Sequence, residues 1–301
     1  MINVVKVSCV IITYNGIKWI ENCLKSIQNS TFPMEVIIID NGSQDGTIEL
    51  VENKFSRVQL IKSEKNLGFA AANNIGFDLA IANSSTFVFL LNQDTIIYPD
   101  TLEKLIEVFN QNDKIKVVSP IHLNDRGDKL DKKFEEYIST KTCEGFISDM
   151  TLDKPKIFYE IEFVNAAAWL IKGDIKNEIG LFSKEFYHYG EDSNFLQRLK
   201  YHGYNVVITP FSKIHHLREL RKGKLSQKFI KKEININLKN ILLNINISEK
   251  RAYFNILKYF LSCISRLEIK NGIYILTYSL ANYLKIKKIK NRYQSKNNLT
   301  Y

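Results

Sequence analysis

Apolar residues along the N-terminal part of the chain alternate between two rhythms. Four short runs, Val7–Thr13 (VSCVIIT), Glu35–Asp40 (EVIIID), Val58–Ile61 and Thr86–Leu91 (TFVFLL), are continuous and rich in β-branched residues. Stretches at helical spacing follow each of them: Ile17–Gln28, Thr47–Phe55, Phe69–Asn83 and Asp100–Gln111. Short continuous runs separated by helices predict strands buried on both faces, so the expected fold is α/β with a doubly wound, mostly parallel sheet flanked by helices. In such a sheet ligands bind beyond the carboxyl ends of the strands. Those ends read Thr13-Tyr14-Asn15, Asp40-Asn41-Gly42-Ser43 and Asn92-Gln93-Asp94, which brings two carboxylates and several amides to one rim. Each Asp also suits a plain cap or turn. A GxGxxG dinucleotide fingerprint is absent, because Thr13-Tyr14-Asn15-Gly16 stands in its place.

The C-terminal pattern is different. Ile230, Ile234, Leu238, Ile241 and Ile245 fall at helical spacing, and so do Phe254, Leu257, Leu261 and Ile264. A third apolar stretch, Ile273–Leu284, runs into the basic segment Lys285–Arg292. Charge separates the two regions. Residues 1–217 carry 23 Lys and Arg against 28 Asp and Glu, whereas residues 218–301 carry 19 against 4. A division into a domain at 1–217 and a basic helical appendage at 218–301 is expected, with an anionic partner for the appendage. An anionic membrane surface fits amphipathic basic helices; packing within the protein and homo-oligomerisation fit the same pattern. No nucleic-acid module is recognisable, so nucleic acid is not an expected partner.

With 301 residues, 45% of them hydrophobic, the chain can bury a large core. No run of 18 apolar residues and no cleavable signal pattern occurs, and the four cysteines form no CxxC pair. A cytoplasmic protein without disulfides or a zinc site is expected.

A series of blocks resembles the inverting glycosyltransferases of family 2, which have the GT-A fold, a Rossmann-like sheet flanked by helices. The blocks are Val10-Ile-Ile-Thr-Tyr-Asn15, Val36-Ile-Ile-Ile-Asp-Asn-Gly-Ser43, Asn66-Leu-Gly-Phe69 with Asn73-Asn74, Leu90-Leu-Asn-Gln-Asp94, Gly190-Glu-Asp192 and the histidines after Val206–Thr209. The likeness extends to rhamnosyltransferase-like members that build bacterial cell-surface polysaccharides. It implies a nucleoside-diphosphate-sugar donor carrying uracil or thymine, and a saccharide or lipid-linked saccharide acceptor. Asp40 matches the position that accepts from the nucleobase imide, with Thr13, Tyr14 and Asn15 lining the base and Asn66 and Gly68 near the nucleoside. Asp94 matches the last acid of the Asp-x-Asp motif, which holds Mn²⁺ or Mg²⁺; the first acid is replaced by Asn92. A histidine completing that metal site is assigned to His215, with His216 the alternative. Asp192 matches the general base, and the acid expected two residues later is Asn194. Glu191, Asn165 and Trp169 match acceptor or pocket positions, Trp169 equally a core strand. The basic amphipathic helices of residues 218–301 then suggest a cytoplasmic enzyme peripheral to the inner face of the cell membrane. A polyprenyl-phosphate sugar synthase and a non-catalytic scaffold that keeps the fold are the alternatives.

Overall fold

The computed structural model describes residues 5–218 and 226–295. In chain order the first elements are β1 (Val7–Thr13), α1 (Ile20–Gln28), β2 (Glu35–Asp40), α2 (Thr47–Lys54), β3 (Gln59–Lys62), α3 (Phe69–Ala82), β4 (Phe87–Asn92), β5 (Thr95–Ile97), α4 (Thr101–Phe109) and β6 (Ile115–Leu123). There follow α5 (Lys132–Tyr137), α6 (Phe146–Thr151), β7 (Tyr159–Glu160), β8 (Ala168–Lys172), α7 (Ile175–Ile179), α8 (Glu191–Tyr201) and β9 (Asn205–His216). The last four helices are α9 (Gln227–Leu242), α10 (Glu249–Ser265), α11 (Ile269–Ala281) and α12 (Tyr283–Gln294).

The nine strands form one mixed sheet in the order β3-β2-β1-β4-β8-β6-β9-β5, with β7 also paired to β9. Strands β3, β2, β1 and β4 are parallel, as their continuous apolar runs predict. Beyond β4 the sheet changes character: β8 runs antiparallel to both β4 and β6, while β6 and β9 are parallel. Alternation along β1 explains the double winding. Cys9 and Ile11 pack with Leu24 of α1 and Leu105 of α4, whereas Val10 faces α3 on the other side, with its Cγ1 2.3 Å from where a Cβ on Gly76 would lie. Ala70, Ala72, Gly76 and Ala80 line the buried side of α3, and these small residues let its backbone lie close to the sheet.

Two compact units emerge. One comprises Met1–Lys176 and Tyr204–Glu219 and contains the whole sheet; the other comprises Asn177–Gly203 and Leu220–Tyr301. The units are therefore not contiguous in sequence: α8 groups with the C-terminal helices rather than with the strands around it. Arg198 of α8 shows the physical reason. Its buried guanidinium donates to the carbonyl oxygens of Ile179 and Leu181, and it lies 5.2 Å from the ring centroid of Tyr293 in α12. His202 hydrogen-bonds the Tyr293 carbonyl at 2.9 Å.

The core of the second unit contains Phe186, Ile234, Leu238, Leu242, Ile256, Ile275 and Tyr293. The apolar row of α9 is thus the inward row. In α10 the opposite holds: Ala252, Ile256 and Cys263 are buried, while Phe254, Leu257 and Leu261 are exposed.

Candidate active site

Register brings three loops to one rim of the first unit. Thr13 pairs with Asp40 across β1 and β2, and Ile12 pairs with Asn92 across β1 and β4. Asp40, fully buried, accepts from the amides of Gly42 (3.0 Å) and Ser43 (2.9 Å) through one carboxylate oxygen. The other oxygen, Oδ2, is buried with no hydrogen-bond partner in the protein. Asp40 therefore serves its turn and keeps an acceptor in reserve, and a buried acceptor left unpaired is costly unless something else fills the role.

Neighbouring side chains tie the loops together. Asn41 accepts from the amide of Leu67 at 3.1 Å and donates to the Gly68 carbonyl at 3.4 Å. Asn66 accepts from the Gly68 amide at 2.9 Å, and Gly68 takes the left-handed φ of +84°. Asn15 accepts from Gln44 at 2.9 Å, while its own amide donates to Ser43 Oγ at 2.9 Å. Gln93 links β4 to β1, accepting from Thr13 Oγ1 at 2.6 Å and the Tyr14 amide at 3.1 Å. Tyr14 is left half-exposed above this network.

Asp94 stands beside His216, with Oδ2 to Nε2 at 3.6 Å. The structure thus pairs His216, not His215, with the acid. Strand alternation is the reason, since successive residues of β9 point to opposite faces. His215 stacks on Tyr98 with ring centroids 5.2 Å apart and packs against the turn at Gly127. Burial alone would raise the Asp94 pKa, but the adjoining His216, with Arg218 behind it, holds it below the ordinary carboxylate value. Nδ1 of His216 is buried without a hydrogen-bond partner. The ring of His122 meets that of His216 edge-on at 5.9 Å; burial first, then the charges of His216 and Arg218, keep the His122 pKa well below its usual value.

Among the described residues no three His, Cys, Asp or Glu side chains are grouped to hold a metal. An ionised Asp94 with the Nε2 of His216 beside its Oδ2 nevertheless fits a divalent cation whose remaining ligands are diphosphate oxygens. Asn92 lies in the strand, where its amide donates to the Ala167 carbonyl at 2.8 Å. Of the pocket positions, Trp169 is fully buried on β8 opposite Leu90, the core-strand alternative, and Asn165 carries a buried Oδ1 without a hydrogen-bond partner.

Glu191 and Asp192 open α8 in the second unit, apart in the chain from the rim residues. The preceding backbone is strained, with Tyr189 at φ +73° and Gly190 at +91°. A bulky residue in that region costs about 1–3 kcal/mol and such outliers gather at functional sites. Only glycine fits at 190, because a Cβ would lie 2.8 Å from Ile236 and 2.9 Å from Phe186. Asp192 is half-buried and accepts from the Ser193 amide at 2.7 Å. Glu191 is buried, and its Oε2 has no hydrogen-bond partner. Burial, then repulsion from Asp192, pushes the Glu191 pKa from 4.5 up to about 8, against weaker pulls from its backbone amide and Lys232.

A stability prediction follows from the sign of that shift. Below pH 4.5 Glu191 is protonated in both folded and unfolded chains; as pH rises towards 8 only the unfolded chain releases its proton, so folding is progressively weakened. Glu191→Gln cannot ionise, and its melting temperature relative to wild type should climb between pH 5 and 8 and then level off. Parallel melting curves across that range would refute the buried, neutral state.

Sequence reasoning passed over Gln93, Asn41, Arg218 and Tyr189. The first two stood inside quoted blocks, and Arg218 follows His215-His216-Leu217 directly. Their signal was position beside a matched residue; their partners were invisible.

The family profile described as Glycosyl transferase family 2 matches residues 8–179. The match covers the rim through Asp94 and stops short of Glu191, Asp192 and the two histidines. An uncharacterized glycosyltransferase of Rickettsia conorii is 31% identical over 161 residues, covering 52% of this chain and 26% of that protein. The poly-beta-1,6-N-acetyl-D-glucosamine synthase of Staphylococcus epidermidis is 32% identical over 116 residues, covering 38% of this chain and 27% of that protein. The chain thus spans about a quarter of the length of these two curated relatives. Among solved structures, S. aureus TarS 1-349 in complex with UDP superposes with a TM-score of 0.55 at 18% identity, covering 82% of this chain and 68% of that one. GalNAc-T7 with UDP, GalNAc and Mn²⁺ gives 0.65 at 16% identity, covering 94% and 58%. At these identities the likeness is one of fold, the GT-A fold.

Proposed function

The chain belongs to glycosyl transferase family 2, and from that premise we propose that it is an inverting glycosyltransferase. It moves a hexosyl or rhamnosyl group from a UDP- or dTDP-linked donor to a hydroxyl of a saccharide or lipid-linked saccharide. The setting is cell-surface polysaccharide synthesis at the inner face of a bacterial membrane. The observation that carries this reading is the rim where Asp40 and the Asn92-Gln93-Asp94 turn flank Thr13 and Tyr14, with Asp40 Oδ2 buried and unsatisfied.

Each residue then has a task. Asp40 Oδ2, an acceptor only, takes the imide N–H of uracil or thymine. Tyr14 offers a half-exposed ring for the base, held in place by Gln93. Asn41 and Asn66 fix the Gly68 loop near the nucleoside. Asp94 and His216 are the residues that would hold a divalent cation, which when bound supplies Lewis-acid stabilisation of the leaving diphosphate. Arg218, ion-paired to Asp131 at 3.3 Å, adds positive charge near Asp94. Asp192 takes the acceptor proton, the single base that inversion needs. Glu191, buried and neutral at pH 7, is unsuited to that task.

The reading is tested by incubating the protein with UDP- and dTDP-sugars and an oligosaccharide acceptor, then reading the anomeric configuration of the product by NMR. An inverted linkage is expected. Direct charging of polyprenyl phosphate would replace this reading with the sugar synthase, and a retained configuration or no turnover of any donor would overturn it.

A further inference from the structure

Apolar residues of α10 and α11 that belong to no core form one continuous surface. On α10, Phe254, Leu257 and Leu261 lie on the side opposite the buried Ala252, Ile256 and Cys263. On α11, Ile273, Leu276 and Leu280 are exposed, while Gly272, Ile275 and Ser279 are buried. The two helices are antiparallel: three residues join them, and the Tyr283 hydroxyl beyond the end of α11 reaches Glu249 at the start of α10 (3.3 Å). Across the seam, a Cβ on Gly272 would meet Phe260 and Ile264 at 3.1–3.3 Å. With that seam fixed, the helical wheel of each helix places its exposed row on the same side of the hairpin. The ends extend the surface, with Leu267 at 85% exposure in the connection and Leu284 at 78% just past α11.

Charge selects the occupant. Between residues 249 and 295 there are ten Lys and Arg and two acids, Glu249 and Glu268. Both acids are engaged, Glu249 with Tyr283 and Lys287, Glu268 with Asn271 and Arg266. Lys250, Lys270 and Lys288 have no ion-pair partner among the described residues, and Lys258 lies 4.7 Å from the Phe254 ring centroid at the edge of the apolar row. A second copy of so basic a surface would meet like charge, whereas an anionic lipid layer offers acyl chains to the leucines and headgroups to the lysines. No helix among the described residues is long and apolar enough to cross a membrane.

We propose that the α10–α11 hairpin is a docking face for an anionic lipid surface, its apolar rows inserted at the acyl boundary and its lysines among the headgroups. The proposed lipid-linked acceptor gives this docking its purpose, but the test needs neither donor nor turnover. The full chain is sedimented with phosphatidylcholine vesicles, with and without phosphatidylglycerol, at low and high salt. Binding to the anionic vesicles alone, weakened by salt, is expected. Lys250→Gln with Lys270→Gln should weaken it roughly tenfold or more, since each nearby cation contributes about 1 kcal/mol. Leu261→Glu with Leu280→Glu should abolish it; both side chains are exposed, so the melting temperature should stay at the wild-type value. Equal pelleting of wild type and the leucine variant overturns the proposal. So does a wild-type dimer in sedimentation velocity that the leucine variant abolishes without any vesicle binding. Loss of transfer with vesicle binding intact would count against the activity and leave the docking face standing.

Discussion

Asp192→Asn is expected to abolish sugar transfer while leaving donor binding nearly unchanged. Positioned general bases contribute typically 10²–10⁴-fold, which sets the size of the fall in kcat. The substitution is a clean one. Asn keeps the oxygen that accepts from the Ser193 amide (2.7 Å) and removes only the ability to take a proton. Glu191 is no substitute, because its carboxyl is buried, and the substitution leaves that burial in place. The measurement pairs turnover under saturating donor with the melting shift produced by nucleotide. A variant that still transfers, or one that no longer binds nucleotide, would remove Asp192 from the role of base.

The second large effect concerns Asp94. Thermal stability measured with UDP, dTDP, GDP and CDP, with and without Mn²⁺, should show a metal-dependent shift for one base class. A ligand at 100 times its dissociation constant adds about 2.7 kcal/mol. Asp94→Ala should lose the metal-dependent part altogether. His216→Ala should lose much of it, whereas His215→Ala, which removes a ring stacked on Tyr98 rather than one facing Asp94, should retain it. A shift that survives Asp94→Ala, or that disappears in His215→Ala and persists in His216→Ala, would overturn the two-residue metal set. Metal-independent nucleotide binding in the wild type would leave Asp40 and the rim intact and remove the cation from the mechanism.

Much of the fold could be read directly. Strands β1 to β4 and helices α1 to α4 lie within a few residues of where the apolar runs and helical spacings put them, because local periodicity depends on which face of an element is buried. The rim followed from that topology, since parallel strands in one sheet end at one edge. The antiparallel insertion of β8 between β4 and β6 was not legible; a short buried run such as AWLIK carries no mark of direction. Nor was it legible which of His215 and His216 faces Asp94, which turns on the register of β9 against β5 and not on either residue.

The same division runs through the rest of the protein. Residue types, their order and their spacing determined an α/β sheet, two carboxylates at its edge, membership of a family and a basic helical tail. Tertiary structure alone decided that Gln93 reaches Thr13 across 80 positions, that Glu191 is buried while Asp192 is half-exposed, and that α8 shares a unit with the tail. It also decided that the α9 stripe faces a core and the Phe254-Leu257-Leu261 stripe faces outwards. Two helices can carry equally good apolar stripes, and what buries one of them is the surface it meets, which belongs to another part of the chain. Hydrophobic burial is non-directional and proportional to area, so a stripe states that a partner is wanted without stating which one.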